Sequence, residues 1–403
     1  MSQENKTVAQ PQYSNSRVVV MIGAVIFISI IVGFGNFKFM PMQDAIMDFF
    51  HIAEGAYGYL NTASGWITVI CAIPMGFLVR KLPCNISVTV GFGVSIGGIA
   101  IQCVARNFVL FVIGRMIEGA GSGMIALVTG SLILNLVPKH RISIFSSVMI
   151  FAGILPQVVM TKGGTALMQN SGLAFQQIFV IIAIVYAVTL VLWWCLVPFS
   201  LKIHGVGSAA KPTREQTLRV MKNKSGILVA VANIFLTFTT ITWVAYVYKY
   251  LTLKGFTPNE AADIYSTVTI IGLVSMLVFG VVSDKLHTKR KLAIVAFVAG
   301  AIAFVLLAIL PANLIWIYVI VWGTLPRSGA GMTSASAADI AEIPADVPIV
   351  TSIKNTISQV GSIVGGILMG YLIQYRGYDF TIYCLAGGMI IGAVCWYFAK
   401  RVP

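Results

Sequence analysis

Five ionisable side chains stand where charge is costly: Lys38, Arg115, Glu118, Arg327 and Lys354 all fall inside long apolar stretches. An ionised group at the centre of such a segment costs at least ~2.5–3.5 kcal/mol on insertion scales, so each requires a partner or a task. Four are cations and one is an anion. Arg115 and Glu118 are three residues apart, which puts them on one helical face where they can pair directly. Lys38, Arg327 and Lys354 are then left without an evident partner of opposite charge in the apolar stretches. The chemistry this pattern points to is capture of an anion, in the simplest case a small carboxylate. Lysine offers a compact charge, and Arg327, following Pro326, can hold a carboxylate through two parallel hydrogen bonds. Glu118 has two readings, a proton carrier or the permanent partner of Arg115.

Position in each stretch gives the plainer alternatives. Lys38 lies about 20 residues into its stretch, ~30 Å at 1.5 Å per residue, so snorkelling to the surface competes with a site role. Lys354 is only ~10 Å from the start of its stretch by the same arithmetic, within reach of Asp339 or Asp346.

The elements that must position these groups are twelve apolar stretches, at 18–42, 57–79, 86–105, 108–136, 142–167, 173–198, 226–251, 261–283, 291–310, 314–337, 348–374 and 379–399. A helix of about 20 apolar residues crosses a bilayer core of ~30 Å. Of 403 residues, 58% are hydrophobic and 10% charged, against roughly 25% charged in soluble chains. The outer surface is therefore expected to face lipid. The net charge of +14 reads as cytoplasmic loop bias, and no basic face with interleaved aromatics points to nucleic acid.

Basic residues gather in alternate gaps: Arg80 and Lys81, Lys139 and Arg141, the polar stretch 199–225, Lys285 to Lys291, and Lys400 with Arg401. Both termini are expected to be cytoplasmic. The acidic segment 338–347, with Asp339, Glu342 and Asp346, runs against that bias. The expected organisation is a tail at 1–16, a six-helix unit at 17–198, a linker at 199–225, a second six-helix unit at 226–400 and a tail at 401–403. The tail at 1–16 lacks the apolar core of a signal peptide. Short loops and the lack of large appended domains suggest a bacterial inner membrane.

An internal repeat supports the two units. Gly76-Phe-Leu-Val-Arg80-Lys81 after the second stretch matches Gly280-Val-Val-Ser-Asp284-Lys285 after the eighth, and Gly172-Leu-Ala-Phe175 matches Gly377-Tyr-Asp-Phe380. The offsets are 204 and 205 residues. Repeats of this kind are typical of secondary transporters. Gly280-Val-Val-Ser-Asp284-Lys285-Leu-His-Thr-Lys289-Arg290-Lys291 resembles "motif A" of the major facilitator superfamily, and Arg115-Met-Ile-Glu118-Gly119-Ala-Gly121 is similar to its "motif B". The first-half copy of motif A departs from the pattern, with Arg80 in place of the aspartate.

That resemblance covers essentially the whole chain. It implies an all-α membrane protein of twelve transmembrane helices in two six-helix bundles around a central cavity, exposed alternately to either side. It also implies a monomer, substrate between the halves, and a cytoplasmic gate formed by Gly280, Asp284, Lys285 and Arg290. Cavity-facing candidates by the same resemblance are Asn36, Trp243, Tyr246 and Tyr248, beside Lys38, Arg115, Arg327 and Lys354; interfacial anchoring is the alternative for the tyrosines. A lysine in the eleventh stretch also resembles the oxalate:formate antiporters, and one late in the first stretch the monocarboxylate transporters. The expected activity is secondary transport of a small organic anion, coupled to protons or to exchange.

A multidrug/proton antiporter of the same fold is the nearest alternative. It is disfavoured because the first stretch carries Lys38 instead of an acid, and the fifth has Gly153-Ile-Leu-Pro156 without a Gly-Pro pair. A membrane sensor or enzyme is the alternative of another class. No HExxH, no paired intramembrane carboxylates and no Ser/His set supports it, and the four histidines fall in predicted loops. The six cysteines form no CxxC or His-flanked cluster, so neither metal nor cofactor is expected.

Overall fold

The structure is a computed structural model that describes residues 15–137, 142–198, 220, 222–239, 243–286, 289–336, 340–341 and 347–399. Among these residues every regular element is a helix. The first half holds α1 (Asn15–Phe37), α2 (Gln43–Phe50), α3 (Glu54–Lys81), α4 (Cys84–Val104), α5 (Phe108–Leu136), α6 (Ile142–Gln169) and α7 (Phe175–Leu196). The second holds α8 (Lys224–Thr237), α9 (Trp243–Leu253), α10 (Pro258–Leu286), α11 (Lys289–Ile309), α12 (Ile315–Ala335) and α13 (Val347–Phe398). With α2 set aside, α8 and α9 taken together, and α13 divided at Gly377 (φ 81°, ψ 172°), these make twelve long segments. Among the described residues, six segments are by themselves long and apolar enough to cross a membrane: Ser16–Phe50, Cys84–Val104, Phe108–Ile133, Phe175–Leu196, Lys289–Ile309 and Thr356–Phe398.

Short connections reverse the chain at each step. The end of α3 and the start of α4, joined through 82–83, therefore share a face with the start of α1, the end of α7, the end of α10 and the start of α11, here the terminal face; 51–53, 105–107 and 254–257 fall on the far face. Asn107 starts α5 by accepting from the Leu110 amide at 2.8 Å. Asn223 closes the linker, accepting from the amides of Ser225 and Gly226 and donating to the Ile340 carbonyl.

The first apolar stretch does not run as one helix to residue 42. Helix α1 stops at Phe37, and Met40–Pro41–Met42 forms a 3-10 turn that hands over to α2. Pro41 lacks the backbone donor a continuing helix needs. Lys38 therefore sits in the turn, and its side chain enters the bundle.

Close helix contact depends on small residues. A Cβ at Gly98 would lie 2.6 Å from the Gly114 carbonyl oxygen, which locks α4 onto α5. Gly93 and Gly97, four apart on α4, take no part in this contact and look into open space. Between the halves, α3 packs on α13 and α6 on α10. A Cβ at Gly58 would stand 2.5 Å from the Gly366 carbonyl oxygen, and one at Gly370 equally close to that of Glu54.

Candidate functional site

The intramembrane charges of the first half converge on one carboxylate. Lys38 Nζ lies 2.9 Å from both Oε1 and Oε2 of Glu118. Arg115 Nη1 reaches Oε2 at 3.1 Å, and Gln102 Nε2 donates to the same oxygen at 2.9 Å. All three ionised groups are buried: Lys38 is 0% exposed, Glu118 1% and Arg115 3%. Lys38 does not snorkel. Phe39 and Phe179 shut it away, with its nitrogen 4.3 Å from the Phe179 ring centre.

Local sequence makes room for this cluster. Gly35 places α1 against the site, where a Cβ would lie 2.5 Å from Glu118 Oε1. Tyr186 donates to the Val32 carbonyl at 3.0 Å and braces the end of α1. Arg115 Nη1 also donates to the Gly35 carbonyl, Nη2 to Ser64 Oγ, both at 3.3 Å, and its guanidinium lies 4.6 Å from the Phe39 ring centre.

Two cations and one carboxylate leave a net charge of +1. At an effective dielectric of ~20, an ion pair at this separation gains roughly 5 kcal/mol, comparable with a desolvation cost of several kcal/mol per ion. One carboxylate therefore offsets one buried cation. The ring faces of Phe39 and Phe179 relieve part of the second, by about 2 kcal/mol each at most.

Arg115 opens onto a cavity of about 380 Å³ between the halves. Its wall includes Asn36 from α1; Asn61, Ser64 and Thr68 from α3; Ser122 from α5; Val244 and Ala245 from α9; and Gln359 and Ser362 from α13. Phe37, Phe39 and Ile363 supply apolar surface. Among the described residues the wall carries amides, hydroxyls and one guanidinium, and no carboxylate. The space suits a small, polar organic molecule.

Among the described residues, the hydrogen bonds and ion pairs that join the halves gather toward the far face. Lys249 Nζ lies 2.9 Å from Asp44 and 3.6 Å from Glu54. Lys162 pairs with Asp263 at 2.7 Å. The Gly55 amide donates to Gln374 Oε1 at 3.2 Å, Tyr246 donates to the Glu54 carbonyl at 3.4 Å, and Gln157 donates to the Tyr265 hydroxyl.

The remaining sequence candidates lie elsewhere. Arg327 packs along Gly272 beside the Tyr265 hydroxyl, away from the cavity wall, and its buried Nε and Nη2 have no hydrogen-bond acceptor among the described residues. Trp243 is buried against Tyr250 and Phe304. Tyr246 is buried against Tyr57, and Tyr248 receives a hydrogen bond from Thr165 at 3.3 Å. Arg290 Nε donates to the Trp396 carbonyl at 3.3 Å, tying α11 to the end of α13. The side chains of Lys354, Asp284 and Lys285 lie outside the described residues, as do the surroundings of Gly280 on α10 and most of the acidic 338–347 segment.

Sequence reading missed Gln102 and the polar wall. A signal existed: Asn61, Ser64 and Thr68, and likewise Gln359 and Ser362, recur at helical spacing inside apolar stretches.

The sequence profile of the Major Facilitator Superfamily matches residues 25–341. Solved structures with the same architecture include a bacterial homologue of the human lysosomal transporter Spinster in an inward-facing, unoccupied conformation (TM-score 0.78, 13% identity, 97% of this chain and 98% of that one). A D-xylose–proton symporter aligns with a TM-score of 0.77 and 17% identity over 97% and 98%. The nucleoside transporter NupG aligns with a TM-score of 0.76 and 13% identity over 94% and 99%. No curated protein matches the sequence significantly.

Proposed function

Because the chain belongs to the major facilitator superfamily and is a multi-pass membrane transporter, not an enzyme, we propose that its substrate is a small organic anion, carried by alternating access. The observation that carries this reading is the uncompensated positive charge of Lys38, Arg115 and Glu118, presented to the cavity through Arg115. A guanidinium already fixed by Ser64 and the Gly35 carbonyl is a preorganised carboxylate contact.

Asn36, Asn61 and Gln359 would orient the rest of the molecule. Arg327, with two guanidinium nitrogens lacking acceptors among the described residues, is the second cation for the substrate, engaged from the other half when the bundles close. Lys354 is a candidate beside it on sequence grounds. Glu118 is held by donors alone, which favours anion exchange over proton coupling. The basic residues gathered in alternate gaps of the sequence support a cytoplasmic location for both termini in a bacterial inner membrane. Gathering of the cross-half contacts among the described residues toward the far face supports a cavity reached from the cytoplasm, with Gly280, Asp284, Lys285 and Arg290 closing that side after the halves rock.

The test is thermal stability of the detergent-purified protein against small carboxylates, sugars, amino acids and cationic drugs, since a ligand of the folded state raises apparent stability by mass action. Counterflow in proteoliposomes follows for any hit. Stabilisation by a carboxylate, together with its exchange, is the expected result. A response confined to sugars or cations would remove the anion reading.

A further inference from the structure

We infer that Lys38 is a positioning residue that sets the charge of the cavity without touching what binds there, an inference that rests on the anion reading above. Lys38 donates to both oxygens of Glu118 at 2.9 Å, whereas Arg115 Nη1 stands 3.1 Å from Oε2. Lys38 is fully buried and absent from the cavity wall, so a molecule in the cavity meets Arg115 and not the ammonium. The groups facing Glu118 from the surrounding elements are Lys38 in the turn after α1, Gln102 and Cys103 on α4, Tyr186 on α7 and Arg115 on its own helix α5, of which only Lys38 and Arg115 are charged. Gln102 is neutral. The charge balance at the wall is thus decided by Lys38.

With Lys38 present, Glu118 is already neutralised and the charge of Arg115 is available to an incoming anion. With Lys38 removed, the same carboxylate cancels Arg115 in place, 3.1 Å away, and the wall becomes neutral. The net +1 also matches a monoanion better than a dianion, so Lys38 and Glu118 together set the preferred charge of the substrate.

The experiment measures binding of lactate, a monoanion, and oxalate, a dianion, to the full-length purified protein. The proteins compared are the wild type, Lys38→Met, Glu118→Gln and Lys38→Met/Glu118→Gln. Lys38→Met is expected to weaken both anions by about tenfold or more, oxalate the more strongly, because one unit of charge is lost within a few ångströms of the site. The double variant restores the +1 and is expected to return to within about threefold of wild type, and Glu118→Gln, at +2, shifts the preference toward oxalate. A merely structural role for Lys38 would not produce that recovery or reorder the two anions.

If Lys38→Met does not fold, Glu118→Gln and the double variant still differ by Lys38 alone, and the oxalate preference must fall between them. Undiminished binding in Lys38→Met, or a double variant as weak as the single, would overturn the inference and leave the anion reading standing. Wild-type protein that binds neither these anions nor any other carboxylate would overturn the anion reading itself, and this inference with it.

Discussion

Lys38 and Glu118, eighty residues apart in sequence, form a two-oxygen ion pair with both N···O distances at 2.9 Å. The pair ties the turn after α1 to the middle of α5, behind the wall that Arg115 presents to the cavity. Removing one member of a buried pair costs about 3–5 kcal/mol because the other is left uncompensated. Here Arg115 stands by to take over Glu118, so functional loss in Lys38 variants should exceed stability loss.

Arg115 makes three kinds of contact that a lysine cannot reproduce together: the Glu118 carboxylate, the Gly35 carbonyl and the Ser64 hydroxyl. Arg115→Lys is therefore expected to abolish anion binding nearly as fully as Arg115→Ala. Thermal-shift titration with the anion that stabilises the wild type checks this. A lysine variant retaining near-normal affinity would show that bare charge is enough.

Gly35 is the narrowest point of the cluster. A methyl group there would press on Glu118 Oε1 and the Tyr186 ring, whose Cζ would be 3.2 Å away. Overpacking of this kind costs about 1–3 kcal/mol. Gly35→Ala is expected to lower the apparent melting temperature and weaken anion binding together, read from melting curves with and without ligand. Gly23→Ala, which meets nothing within 4 Å, should do neither.

The twelve-segment architecture was legible because period and length carry it. The apolar stretches and the repeats at Gly76/Gly280 and Gly172/Gly377 are properties of the chain alone. The Arg115–Glu118 pair was legible for the same reason, since a spacing of three fixes a shared helical face. The reach of Lys38 was not. It depends on a helix stopping at Phe37 and a turn swinging the side chain inward across eighty residues of intervening sequence, which no local pattern records. Trp243 and Tyr246 show the opposite difficulty. Their helix does border the cavity, yet it is Val244 and Ala245 that line the wall, and a rotation of one residue decides which side chains face in.

Two buried guanidinium nitrogens of Arg327, Nε and Nη2, have no acceptor among the described residues, each a burden of roughly 1–3 kcal/mol. Unpaired buried donors of this kind destabilise the ligand-free protein, and a substrate carboxylate engaging them, as proposed above, would offset that cost. Arg327→Leu is expected to keep or raise the melting temperature of the ligand-free protein while reducing transport at least tenfold. Vesicle counterflow and calorimetry on the same preparation test the two halves of that statement. A large fall in melting temperature would assign Arg327 a structural task through Tyr265 instead.

The cross-half ion pairs near the far face should differ in weight. Lys162 and Asp263 are 52% and 61% exposed, so their pair is worth about 0–1 kcal/mol and is screened by salt. Lys249 is only 18% exposed and faces two carboxylates, Asp44 and Glu54, with Glu54 itself 23% exposed. Opening the far face must break these contacts, so weakening them shifts the population toward that state by their differential energy. Lys249→Met is therefore expected to raise the labelling rate of a cysteine placed at Asn61 by a reagent confined to the far side of the membrane. Lys162→Met should leave that rate nearly unchanged. The order follows from burial: the two contacts are alike in chemistry and differ mainly in how much water competes for them. Equal effects from both variants would mean that helix packing between α3 and α13, and not charge, holds this side shut.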